Sequence, residues 1–146
     1  MNKNSIKKGD ILKVYTDGAA RGNPGPAAIA FLFVHANDII HQQSKYIGKA
    51  TNNIAEYKAI INALRNAEKF HKGYLELYSD SNLAVNQINN RWKINYPHLL
   101  ELCNEVHQLS QQYDKVEFFH IRRDNPYIEL CDKMCNDTLD NKGFKK

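Results

Sequence analysis

Residues 11–35 read ILKVYTDGAARGNPGPAAIAFLFVH, and the fold is decided in this stretch. ILKVYT (11–16) is rich in β-formers and runs into Asp17-Gly18, a turn signal. RGNPGP (21–26) packs two glycines and two prolines into six residues and reads as a compact turn. AAIAFLFVH (27–35) is a short, nearly continuous apolar run and reads as a buried strand. Asn37-Asp38 marks a hairpin turn, and IIHQQSKYI (39–47) reads as a third strand at a sheet edge. Strands joined by turns this short form an antiparallel meander.

Downstream of residue 50 the apolar period changes. Asn53-Ile54-Ala55-Glu56 has the form of a helix N-cap with Glu three residues later. Ile54, Tyr57, Ile61, Leu64 and Ala67 recur at helical spacing, to about Phe70, with a stop near Gly73. YLELYS (74–79) is a fourth strand closing at Asp80, and Ser81-Asn82 opens a short helix. Leu99, Leu102, Val106 and Leu109 define another helix after Tyr96-Pro97. VEFFHI (116–121) is a fifth strand, and Pro126 starts a last helix that reaches about Leu139. The order β-β-β-α-β-α-α-β-α predicts an α/β fold. Its mixed five-stranded sheet has three antiparallel strands, then two parallel ones, with flanking helices. Sites on such sheets form at the carboxyl ends of strands.

The 146 residues suit one domain. It is expected over 11–140, between a polar N-terminal tail (1–10) and a basic C-terminal tail (141–146). Lys3, Lys7 and Lys8 at one end and Lys142, Lys145 and Lys146 at the other read as solubilising charge. The opening MNKNSIKKGD lacks the apolar core of a signal peptide, and no long apolar run follows. A cytoplasmic protein without a membrane partner is the expectation. The net charge of +4 is compatible with a polyanionic partner and does not identify one. Cys103, Cys131 and Cys135 include no CxxC pair and are read as reduced, buried thiols.

Four acids fall near element ends. Asp17 closes the first strand and Asp80 the fourth, so parallel pairing of the two would bring both carboxylates to one sheet edge. Glu56 lies in the first turn of the first helix, and Asp132 in the second turn of the last. Carboxylates gathered in one cleft repel each other, and a divalent cation offsets that repulsion. Hard oxygen donors favour Mg²⁺ or Mn²⁺ over zinc. Two such ions about 3.5–4 Å apart suit phosphodiester hydrolysis. Each acid also has a plainer use: Asp17 in a turn, Glu56 in a capping box, Asp80 as a cap, Asp132 on a solvated helix face. The residues alone reach a carboxylate-rich sheet edge with no single chemistry fixed.

Longer signatures narrow the reading. Thr16-Asp17-Gly18-Ala19-Ala20-Arg21-Gly22-Asn23-Pro24-Gly25-Pro26 resembles the first signature of the type 1 ribonuclease H (ribonuclease HI) family. Thr51-Asn52-Asn53-Ile54-Ala55-Glu56 resembles its second, Ser79-Asp80-Ser81 its third and Cys131-Asp132 its fourth. The similarity runs in order over residues 11–140. It implies a ribonuclease H-like fold and an endonuclease that cuts the RNA strand of RNA–DNA hybrids, leaving 5′-phosphate and 3′-hydroxyl ends. It also implies Asp17, Glu56, Asp80 and Asp132 as ligands of two Mg²⁺ or Mn²⁺ ions, and His120 as a mobile acid/base. For the substrate, the resemblance points to Gly18, Ala20, Asn23, Asn52, Asn53 and Asn82 at the minor groove and to Thr51 at a DNA phosphate. The family usually acts as a monomer, and compact relatives suggest that double-stranded RNA is a possible second substrate.

Two departures stand out. The segment NNRWKINYPH (89–98) carries only Arg91, Trp92 and Lys93, so the basic protrusion of some members is lacking, and Trp92 is expected to pack. The stretch from His120 to Asp132 is longer than the family's usual spacing, and Glu129 stands one turn before Asp132. Two rival readings remain: another nuclease of the same fold, and a hybrid- or duplex-RNA-binding module with weak or no catalysis. Cleavage of hybrid against duplex RNA and duplex DNA separates them.

Overall fold

The sheet is ordered β3-β2-β1-β4-β5 in the computed structural model, which describes residues 6–145. Lys3 and Lys146 of the expected tails lie outside the described residues. β1 (Ile11–Ala20), β2 (Gly25–His35) and β3 (Asp38–Ala50) form the antiparallel meander. α1 (Asn52–Ala67) crosses to β4 (Tyr74–Ser79), which pairs parallel with β1. α2 (Asn82–Ile88) and α3 (Pro97–Ser110) lead to β5 (Lys115–His120), parallel to β4, and α4 (Pro126–Asn141) ends the chain's regular structure. No helix among the described residues is long and apolar enough to cross a membrane.

Helices cover both faces of the sheet, which explains the unbroken apolar run in β2. Phe31 and Phe33 point into the larger core with Leu12, Val14, Leu75 and Leu77, under α1, α2 and α3. Ala28, Ala30, Leu32 and Val34 alternate to the other face, against Ile128, Cys131, Cys135 and Leu139 of α4. The three cysteines are free thiols and fully enclosed.

β1 does not stop at Asp17. Its parallel partner ends at Ser79, paired with Thr16, but its antiparallel pairing to β2 continues to Ala20↔Ala27. The Asp17-Gly18 turn reading is therefore corrected: a neighbouring strand satisfies this backbone, and Asp17 sits where β1 loses one partner and keeps the other. The reversal falls at Arg21–Pro24, closed by the Arg21 N–H donating to the Pro26 carbonyl at 2.8 Å, with Gly22 at φ +97°. In the β2–β3 hairpin the left-handed residues are Ala36 and Asn37, one position earlier than the expected pair.

Two further expectations change. The N-cap of α1 is Thr51, whose hydroxyl accepts from the Ile54 N–H at 3.2 Å, so Glu56 lies in the second turn and makes no capping box. Trp92 is 45% exposed rather than packed. Asn90 adopts φ +61° past the end of α2, and the Arg91 and Trp92 N–H groups close onto the Asn86 carbonyl, turning the chain outward.

Both ends beyond the sheet are tied down. The Asp10 carboxylate accepts from the Lys7 N–H and meets His35 Nε2 at 3.0 Å, and Ile6 packs on the larger core. Phe144 stacks on Tyr46 with ring centroids 5.3 Å apart.

Candidate active site

Three carboxylates meet where β4 ends beside β1: Asp17 on β1, Glu56 on α1 and Asp80 just past β4. Asp17, Glu56 and Asp80 each offer one oxygen, and these oxygens lie within 4.8 Å of one another. Strand pairing explains two of them. The last β1–β4 pair is Thr16↔Ser79, so the next residue of each strand, Asp17 and Asp80, emerges at the same level. Glu56 is brought in by α1, and the Gly18 N–H donates to its Oε1 at 2.9 Å.

The cluster floors a cleft of about 490 Å³, lined also by Gly18, Ala19, Asn52, Arg123, Asp124, Ile128, Glu129 and Asp132. Asp17 is 5% exposed. Burial, then the charges of Asp80 and Asp132, push its carboxyl up to about 8. Burial and the charges of Asp17 and Asp80 hold Glu56 well above the usual carboxylate range.

A divalent cation fits this donor set. Asp80 Oδ1 is buried without a hydrogen-bond partner among the described residues, an arrangement that is costly unless a cation takes it up. All three donors are hard oxygens, suited to Mg²⁺ or Mn²⁺ rather than to a thiolate- or imidazole-seeking metal.

The other residues named from sequence separate into groups. Asp132 lines the cleft from α4, outside the group of three. Asn52 also lines it; its Oδ1 accepts from the Ala20 N–H at 3.0 Å, and its own N–H donates to Asn23 Oδ1 at 3.1 Å. The Gly18 and Ala20 N–H groups are thus engaged by side chains of the protein itself. Thr51 caps α1. Asn53 is exposed on α1, and Asn82 begins α2 with its Oδ1 accepting from Asn86 Nδ2 at 2.7 Å. His120 is exposed at the end of β5 and does not line the cleft.

From the β5–α4 loop the cleft instead receives Arg123 and Asp124, which the sequence reading missed. Arg122 is turned to Asp124 at 3.6 Å, while Arg123 has no ion-pair partner among the described residues. A signal was present in the two adjacent arginines of the over-long loop. Periodicity assigns no side-chain direction in a loop, so nothing chose between them.

Comparison with known proteins decides the family. A family model described as reverse transcriptase-like matches residues 15–128. Ribonuclease HI of Halobacterium salinarum is 36% identical over 135 residues, 92% of this chain and 67% of that protein. The chain belongs to the ribonuclease H family. The crystal structure of RNase H1 from the same archaeon superposes with a TM-score of 0.85, covering 90% of this chain and 98% of that one. A crystal structure of LC11-RNase H1 in complex with an RNA/DNA hybrid superposes at 0.84 with 33% identity, covering 90% of this chain and 98% of that one. A bifunctional protein of Mycobacterium tuberculosis is 34% identical over 131 residues. This chain spans 35% of that relative's length. The ribonuclease H fold expected from the signatures is the fold found, with the mixed pairing expected from sequence and the strand order that the structure shows.

Proposed function

We propose that this chain is an endonuclease that hydrolyses the RNA strand of RNA–DNA hybrids, leaving a 5′-phosphate and a 3′-hydroxyl, with Mg²⁺ or Mn²⁺. The observation that carries the reading is the meeting of Asp17, Glu56 and Asp80 oxygens within 4.8 Å at a solvent-open cleft. The ribonuclease H relatives support the choice of substrate.

Asp17, Glu56 and Asp80 would hold the metal, with Asp132 reaching in from α4. A divalent metal held there would supply Lewis acidity for the attacking water and for the departing 3′ oxygen. The chain's own groups do the rest. The Gly18 N–H fixes one Glu56 oxygen and so sets the direction of the other. Arg123 stands over the acidic cleft as a cation for the phosphate and its growing negative charge. Asn52 and Asn23 stiffen the turn beside the cleft, where the ribose 2′-hydroxyl has to be recognised.

The test is cleavage of an end-labelled RNA–DNA hybrid beside duplex RNA and duplex DNA, with each metal. Hybrid cut in the RNA strand only is the expected result. Tight hybrid binding without cleavage in either metal would replace this reading with a binding module. Cleavage of duplex DNA would replace it with another nuclease of the fold.

A further inference from the structure

Arg21 is the first residue past β1, and its side chain is 8% exposed. A buried guanidinium is stable only when acceptors surround it. Here the acceptors lie on α4 and just past it and serve the two Nη atoms, while Nε is buried without a partner among the described residues. Nη2 donates to the Asn136 carbonyl at 3.3 Å and to Asn136 Oδ1 at 3.1 Å. Nη1 meets Asp140 Oδ1 at 2.8 Å and donates to the Phe144 carbonyl.

Asn136 and Asp140 are four apart on α4, the interval that returns to one side of a helix, and Phe144 follows the helix's end. The preceding member of that row is Asp132. The link to it is direct: Asn136 Nδ2 donates to the Asp132 carbonyl at 3.0 Å. One Asn136 amide therefore bridges the Arg21 guanidinium and the Asp132 backbone. Asp132 lines the cleft from α4, as Glu129 does one turn earlier, and stands outside the group of three, on an element separate from theirs. Its distance from Asp17 is set by how α4 seats on β1. Buried packing of Ile128, Cys131, Cys135 and Leu139 presses α4 onto the sheet, Ser44 Oγ donates to the Met134 carbonyl at 3.1 Å, and the Arg21 contacts add directional polar bonds beside that non-directional packing.

We propose that Arg21 is a positioning residue for the metal-dependent reaction: it grips the downstream members of the α4 row that carries Asp132 and thereby fixes Asp132 against the three-carboxylate cluster. This rests on the function proposed above. Arg21 contacts no group of the cleft floor, and its effect runs through Asn136. The same grip ties the residues after α4 to the first signature's turn, so the end of the chain becomes part of the active-site scaffold.

A double-mutant cycle tests it. Arg21→Met keeps the buried stem and removes the donors. It is expected to lower single-turnover kcat on hybrid about 10-fold with KM unchanged. In an Asp132→Asn background the same substitution changes kcat by less than about twofold, because the residue it positions is already disabled. Amide resonances of Asp132 and Asn136 shift in Arg21→Met while that of Asp80 does not, a readout that needs neither metal nor turnover. If wild-type protein leaves hybrid uncut, the functional reading fails, and these resonances still judge the grip. Equal losses in both backgrounds, or an unmoved Asp132 resonance in folded Arg21→Met, overturn the proposal. Should Arg21→Met not fold, Asp140→Ala removes a partner whose side chain is 62% exposed. Its expected loss is smaller and is likewise absent in Asp132→Asn; a multiplicative loss overturns the proposal equally.

Discussion

The Gly18 N–H donates to Glu56 Oε1 at 2.9 Å, joining β1 to α1 at the point where their carboxylates converge. The contact is possible only because residue 18 has no side chain. A Cβ there would lie 2.3 Å from the Ala55 carbonyl carbon and oxygen and 2.7 Å from the Glu56 nitrogen, all main-chain atoms that cannot swing aside. Gly18→Ala must therefore push α1 away from β1. The expected cost is about 1–3 kcal/mol of stability, read by urea denaturation. Hybrid cleavage should fall about 100-fold, read from initial rates. Wild-type rates in a folded Gly18→Ala protein would remove the contact from the mechanism.

Asp17→Asn separates stability from activity. Asp17 is buried and repelled by Asp80 and Asp132, so its charge costs the metal-free protein folding energy. Neutralising it should stabilise that protein by on the order of 1–3 kcal/mol at pH 9. Metal-dependent cleavage should be lost with it. A thermal melt beside a cleavage assay checks both halves, and a destabilised Asp17→Asn protein would contradict the repulsion.

The same repulsion fixes a pH dependence. The Asp17 carboxyl is raised from 3.8 to about 8 and Glu56 is raised in the same direction, so both prefer their protonated forms when folded. Stability from these groups is fully present below their unfolded values and is lost as pH rises through the folded ones. For Asp17 the window runs from about 4 to about 8. In chelator, Tm should drop across it. Mg²⁺ or Mn²⁺ should raise Tm, and more at pH 8 than at pH 5, because the cation binds the deprotonated carboxylates. A metal effect on Tm that is flat in pH would contradict metal binding at this cluster.

Arg123 and His120 give opposite expectations from one loop. Arg123 lines the cleft and His120 does not. Arg123→Ala should lower kcat/KM on hybrid by about 10–100-fold, the loss of one charged contact to a phosphate. His120→Ala should change it by less than about threefold, within the range of an exposed surface substitution. A larger loss from His120→Ala would mean that the loop rearranges when substrate binds.

Much of this protein was legible in the chain itself. Strand and helix order follow from hydrophobic period, and the two-sided burial of β2 follows from its unbroken apolar run. Local signatures point to Asp17, Glu56 and Asp80, whose oxygens do meet, and the parallel register of β1 and β4 that aligns the two aspartates requires only that these strands be neighbours. The misreadings share one cause. Asp17-Gly18 looked like a turn and Asn53–Glu56 like a capping box because local patterns describe a residue's nearest neighbours along the chain. Here the backbone of β1 is claimed by β2, and Glu56 by Gly18, 38 positions away. Trp92 faces solvent for a similar reason, since Asn90 turns the chain outward before the indole can reach the core.

What only the tertiary structure decided are relationships between distant segments: Arg123 in the cleft in place of His120, and Arg21 closing on Asn136, Asp140 and Phe144. Sequence sets which groups are available and their spacing within an element. Side-chain direction in loops, and the seating of one helix on a sheet, emerge only when the whole set of buried surfaces and polar partners is satisfied at once.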